Sequence, residues 1–174
     1  MSSILKRAAG PAVVAGLLVT SFATPAAAQT PGSVALRHGG SVVLSAGIGV
    51  QNHVTASVSG GRLILTDLAG IAAGPGCSQV STTSADCGNA DTVSRLTVSL
   101  GDQNDSAQIN AAVNTSVYAG SGADTVATGG GSDTVFVSDG VSGNDTVTCG
   151  DGSDTVFGDP GDHIATNCEV RFPF

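Results

Sequence analysis

The sequence predicts an all-β chain whose C-terminal half is a solenoid of short strands, and three observations lead there. Tryptophan is absent and aromatic residues make up only 3% of the chain, while small and β-branched residues abound, so strand and turn signals outweigh helix signals throughout. The stretch "SGADTVATGGGSDTVFV", residues 121 to 137, spells Gly-x-Asp-Thr-Val twice at an interval of nine residues. The valines behind the aspartates keep that spacing, which argues against the disorder that abundant glycine and charge can otherwise signal.

The N-terminus carries Lys6 and Arg7, a short apolar run PAVVAGLLVTSFA and the small residues AAA ahead of Gln29. This is the layout of a secretory signal peptide, residues 1–28, cleaved after Ala28; an anchor helix that is never cleaved is the alternative. No later stretch approaches the roughly 18 consecutive apolar residues of a span, so the mature chain is expected to be secreted, extracellular and without membrane insertion. Residues 29–174 suit one domain with two unlike halves.

Residues 29–100 balance Asp67, Asp86 and Asp91 against Arg37, Arg62 and Arg95 and are neutral. Within them, residues 33–67 alternate like strands, and "VSGGRLIL" predicts a hairpin turn at Gly60 and Gly61. This half is expected to be a β-rich layer or the N-terminal cap of the repeats. His38 and His53 are read as surface or strand residues, and His163 is the remaining imidazole. Neither Gly-x-Ser-x-Gly nor His-Glu-x-x-His occurs, so nothing marks a catalytic centre.

Four cysteines in an exported chain read as two disulfides out of three possible pairings. Proximity favours Cys77 with Cys87 and Cys149 with Cys168. Zinc is the alternative, but no Cys-x-x-Cys occurs.

Residues 101–174 hold ten aspartates and Glu169 against Arg171 alone, a net of −10. Such a surface is a poor partner for nucleic acid or anionic lipid and a good one for metal cations. Aligned on the aspartate, the copies read AGSGADTVA (119–127), TGGGSDTVF (128–136), then after three extra residues GVSGNDTVT (140–148), CGDGSDTVF (149–157) and a shortened GDPGDHIA (158–165). Glycines allow the positive φ of a tight turn, and x-Val-x is a minimal strand whose central residue points to one side. Val126, Val135, Val147, Val156 and Ile164 should stack inward. Two copies make one coil, so Asp124 and Asp145 should share one edge and Asp133 and Asp154 the other, each pair 21 residues apart. Coils about 4.8 Å apart would bring like charges together, which calls for a cation between them. Paired carboxylates with the carbonyls of glycine turns form an all-oxygen site, the environment calcium prefers over zinc or copper. Otherwise these aspartates would only make Asx-turns.

These copies resemble the hemolysin-type calcium-binding repeat, the repeats-in-toxin (RTX) nonapeptide G-G-x-G-x-D-x-U-x, known as a calcium-binding β-helix repeat. "LGDQNDSAQI" (100–109) resembles a degenerate opening copy, "CGDGSDTVFGDPGDHIATNCE" (149–169) the closing segment of small secreted bacterial members, and "GGRLILTDLAGIAAGPGC" (60–77) their front half. The resemblance implies a right-handed parallel β-roll (β-solenoid) over 101–174 with a C-terminal cap. It also implies Ca2+ held by Asp124, Asp133, Asp145 and Asp154, with Asp105 and Asp162 as weaker ligands from copies that depart from the pattern. Backbone carbonyls of the glycine turns at Gly122, Gly131, Gly143 and Gly152 would complete the shells. Extracellular calcium modules commonly bind at about 0.1 to 1 mM.

The leading expectation is a secreted, non-enzymatic calcium-binding protein. A second is a calcium-scaffolded adhesion or surface/glycan-binding module, for which the column Thr125, Thr134, Thr146 and Thr155 is the candidate face. A third is a hydrolase using Asp133 and Asp154 as paired carboxylates.

Overall fold

The computed structural model describes residues 30–173, which form eighteen short strands; the expected signal peptide, residues 1–28, lies outside the described residues. Strands β1 (Ser33–His38) and β2 (Ser41–Ala46) form a hairpin, as do β3 (His53–Ser59) and β4 (Arg62–Asp67). Next come β5 (Ile71–Ala73), β6 (Ser78–Ser81) and β7 (Ser84–Asn89), and a 3-10 helix at Ala90–Thr92 leads into β8 (Arg95–Ser99). The acidic half adds β9 (Ser106–Ile109), β10 (Thr115–Tyr118), β11 (Thr125–Ala127), β12 (Gly130–Gly131), β13 (Thr134–Phe136) and β14 (Thr146–Thr148). It ends with β15 (Asp151–Gly152), β16 (Thr155–Gly158), β17 (His163–Ile164) and β18 (Val170–Pro173). Among the described residues there is no α-helix.

Two eight-stranded sheets result. The first is ordered β18-β16-β13-β10-β8-β2-β1-β5 and the second β17-β14-β11-β9-β3-β4-β7-β6, while β12 and β15 pair separately in the turns. From β8 onward the main strands alternate between the sheets and every neighbouring pair is parallel. The all-β expectation holds. The sheets are nonetheless open rather than closed into a continuous solenoid, and strand orientation is mixed. The cause is local: Gly60 and Gly61 sit at φ 56° and 75° and make the two-residue hairpin turn expected of them, which can join only antiparallel strands. The N-terminal half thus enters as hairpins whose inner strands β2 and β3 pair in parallel with β8 and β9.

Between the sheets, Val117, Val135 and Val156 stack in register on one side and Val126 and Val147 on the other, all essentially fully buried. Burial of each valine is worth about 1.5 to 3 kcal/mol. Ile164 continues the second row but is only partly buried, because β17 is the last strand of its sheet. The bulky core side chains, Leu44, Leu63, Leu65, Leu96, Leu100 and Ile109, belong to the N-terminal half and the first coil. Cys77 is bonded to Cys87, and Cys149 to Cys168.

The outer faces differ. On the first sheet Tyr118, Phe136, Phe157 and Phe172 stack ring on ring, with centroids 4.7, 5.0 and 5.1 Å apart. The threonines expected to form one column form two. Thr125 pairs with Thr146 in the second sheet and Thr134 with Thr155 in the first, because successive copies lie on opposite sheets.

Candidate metal centre

The turns between the sheets stack into two edges. Glycine makes this contact possible: Gly122 and Gly152 have φ of 135° and 137°, and a Cβ on either would overlap the carbonyl of the turn before it, that of Gln103 or Gly131. Gly131 and Gly143 also have positive φ. Carbonyl oxygens therefore lie directly against the next turn on both edges.

The aspartates run down these edges as two ladders. On the first edge Asn52 donates its backbone N–H to Asp105 Oδ1 (2.7 Å), Asp105 to Asp124 Oδ1 (2.8 Å), Asp124 to Asp145 Oδ1 (2.7 Å) and Asp145 to Asp162 Oδ1 (3.3 Å). On the second edge Thr115 donates to Asp133 Oδ1 (2.7 Å), Asp133 to Asp154 Oδ1 (2.9 Å) and Asp154 to Glu169 Oε2 (2.8 Å). Asp124 thus shares an edge with Asp145, and Asp133 with Asp154. One carboxylate oxygen of each rung is spent on the preceding coil. The other is not: Oδ2 of Asp105, Asp124, Asp133, Asp145 and Asp154 is buried with no hydrogen-bond partner, on residues no more than 3% exposed. Asp162, at the end of the first ladder, is only half-buried and also accepts from the N–H of Gly143 and Asp159.

Burial dominates the electrostatics. It pushes the Asp105 and Asp145 carboxyls up to about 6, against the pull of the amides they accept from; neighbouring aspartates add a smaller push. Burial likewise raises Asp124, Asp133 and Asp154. Repulsion between stacked carboxylates, the cost expected from the repeat spacing, is therefore secondary to loss of water, because each Oδ1 faces an amide of the coil before it. A buried carboxylate oxygen without a donor costs free energy until something positive reaches it.

The donor set is all oxygen: carboxylates, amide oxygens and turn carbonyls. That suits a hard cation such as calcium and gives soft metals nothing. Among the described residues no three His, Cys, Asp or Glu side chains come together as a metal cluster, so each site would rest on one or two carboxylates supplemented by carbonyls.

Three rungs escaped sequence reasoning. Asn52, Thr115 and Glu169 cap the ladders without any Gly-x-Asp around them. Asn104 and Asn114 form outer rungs, accepting from the N–H of Ala123 and Ser132; the signal that could have found them is that each stands one residue before a ladder position.

The model of the RTX calcium-binding nonapeptide repeat (4 copies) matches residues 116–135 and 137–162. No curated protein and no solved structure matches the chain.

Proposed function

From the RTX calcium-binding repeats matched over residues 116–135 and 137–162, we propose that this chain is a secreted, non-enzymatic calcium-binding protein whose acidic half is a right-handed β-roll completed by Ca2+. The carrying observation is the set of five buried aspartate oxygens that have no hydrogen-bond donor. Asp124 and Asp145, and Asp133 and Asp154, present these oxygens from consecutive coils of one edge; Asp105 extends the first edge, and Asp162 closes it more weakly. The carbonyls of the turns around Gly122, Gly131, Gly143 and Gly152 complete the shells. The ion supplies the positive charge that the carboxylates lack. The protein contributes everything else: the amide ladder fixes one oxygen of each carboxylate, and the glycines let the turns approach.

Export is supported by the N-terminal layout and by two disulfides, which persist in oxidising compartments. Paired acid–base catalysis by Asp133 and Asp154 has little support, since each is 1% exposed and a polysaccharide could not reach them. The test is thermal melting of the mature chain with chelator and with millimolar calcium. The expected result is a large rise in Tm with a gain of β-sheet circular dichroism; an unchanged melt would reject the reading.

One observation favours a second reading, a surface- or glycan-binding module on the calcium scaffold: the outward-facing stack of Tyr118, Phe136, Phe157 and Phe172, whose two middle rings lie in the strands that carry Thr134 and Thr155. Retention on a polysaccharide, lost in Phe136→Ala, would support it.

A further inference from the structure

Resting on the calcium reading of the repeats, we propose one further cation site at the N-terminal end of the first edge, at the seam where the N-terminal half meets the first coil. It is formed by Asn52 and by Asp105, which it shares with the ladder, beside the buried carboxylate of Asp67, and is selective for a hard divalent ion such as calcium. Two strand pairings bring these residues together. Asn52 and Asp105 immediately precede β3 and β9, which pair in parallel with His53 beside Ser106, and Asp67 ends β4, across the hairpin from Val54.

All three are buried: Asn52 and Asp67 are 0% exposed and Asp105 3%. The Asn52 side-chain amide donates from Nδ2 to Asp67 Oδ2 (2.7 Å) and to the Gly32 carbonyl (3.3 Å). Both partners can only accept, so the amide cannot be turned around. This orientation leaves Asn52 Oδ1 without a donor, and Asp105 Oδ2 is in the same state. Asp67 accepts from the N–H of His53 and Ala69 as well, but its charge has no counter-ion. Among the described residues the one salt bridge joins Arg62 to Asp86, and Arg37 is occupied by the carbonyls of Gly39, Cys87 and Asn89. Buried charges are paired or bind metals. Ordered water could donate to each free oxygen, but it would leave both carboxylates uncompensated; a cation reaching Asn52 and Asp105, whose backbone N–H and Oδ1 are already in contact, would answer the oxygens and the charge together.

This seam lies outside the residues matched by the repeat family, and it would make docking of the N-terminal half onto the first coil depend on the ion. The test uses the mature chain and calcium alone, following backbone amide exchange residue by residue and counting bound ions by equilibrium dialysis. Amides of Asn52, His53 and Ala69 should exchange at least tenfold more slowly with calcium than with chelator, and Asn52→Ala should bind one ion fewer while keeping the protection of the repeat turns. If these three amides are unchanged while the repeat amides respond, the seam holds water and the proposal is wrong, with the calcium reading of the repeats intact. No response anywhere overturns both. Should Asn52→Ala fail to fold, the wild-type exchange decides alone.

Discussion

Asp124 gives its backbone N–H to Asp145 Oδ1 at 2.7 Å across one coil, while Asp145 Oδ2 stays buried and unpartnered. One side chain thus has two separable tasks, one oxygen holding the coils in register and the other awaiting a cation.

Substitution can divide those tasks. Asp145→Asn keeps the acceptor and sheds the buried charge; Asp145→Ala removes both. With chelator present, Asp145→Ala should lose about 1 to 3 kcal/mol through the stranded Asp124 amide, and Asp145→Asn should match or exceed the wild type. Both should forfeit part of the calcium-induced rise in Tm. A full calcium response in Asp145→Asn would refute the assignment of Oδ2.

Stability without metal should depend on pH in the direction opposite to the usual carboxylate. Asp105 and Asp145 titrate near 6 when folded against 3.8 in the reference state, so between those values the folded chain binds more protons than the unfolded one. Stability contributed by these groups therefore falls as pH rises from about 4 to about 6. Calcium competes with those protons, so its stabilising effect should be larger at neutral pH than near pH 5. Chemical denaturation at several pH values, with chelator and with calcium, measures both slopes.

The turn glycines should tolerate no side chain. At Gly152 the backbone is left-handed with φ 137°, and a Cβ would overlap the Gly131 carbonyl. Gly152→Ala should cost well over about 1 kcal/mol, with weaker calcium binding on the edge of Asp133 and Asp154. The same substitution at Gly140, where φ is also positive but a Cβ meets nothing within 4 Å, should show only the backbone penalty. Equal losses at the two sites would rule out stacking as the cause.

Cys149 and Cys168 join the fourth copy to the segment before β18, closing a loop of 19 residues. Replacing both by serine should cost about 3 kcal/mol on the loop-entropy estimate. Amide exchange should rise first in β17 and β18, leaving β3 and β4 protected. A uniform rise along the chain would show instead that the two halves unfold as one unit.

Much of this architecture is legible in the residues. The spacing of Asp124, Asp133, Asp145 and Asp154 assigns them correctly to two edges, because two copies per coil leave no other arrangement, and Gly60 with Gly61 announces its hairpin. The ladder ends are not legible. Asn52 becomes a rung only because β3 pairs with β9, and that register is set by the packing of an entire sheet. The threonine column failed for a related reason: a period of nine reads as one row in the sequence but places alternate copies on opposite sheets. Nor does the repeat spacing reveal that each Oδ1 faces an amide, so like-charge repulsion looks larger from the sequence than the structure allows.

The ring stack gives the molecule an optical gauge of its own. Tyr118 is the single tyrosine, no tryptophan competes with its emission, and it sits 4.7 Å from Phe136 at the head of the stack. Its fluorescence reports whether β10 and β13 have docked, and energy passed to it from Phe136, Phe157 and Phe172 reports how far assembly has travelled toward the C-terminus. Coil-by-coil zipping can thus be timed on the unlabelled chain.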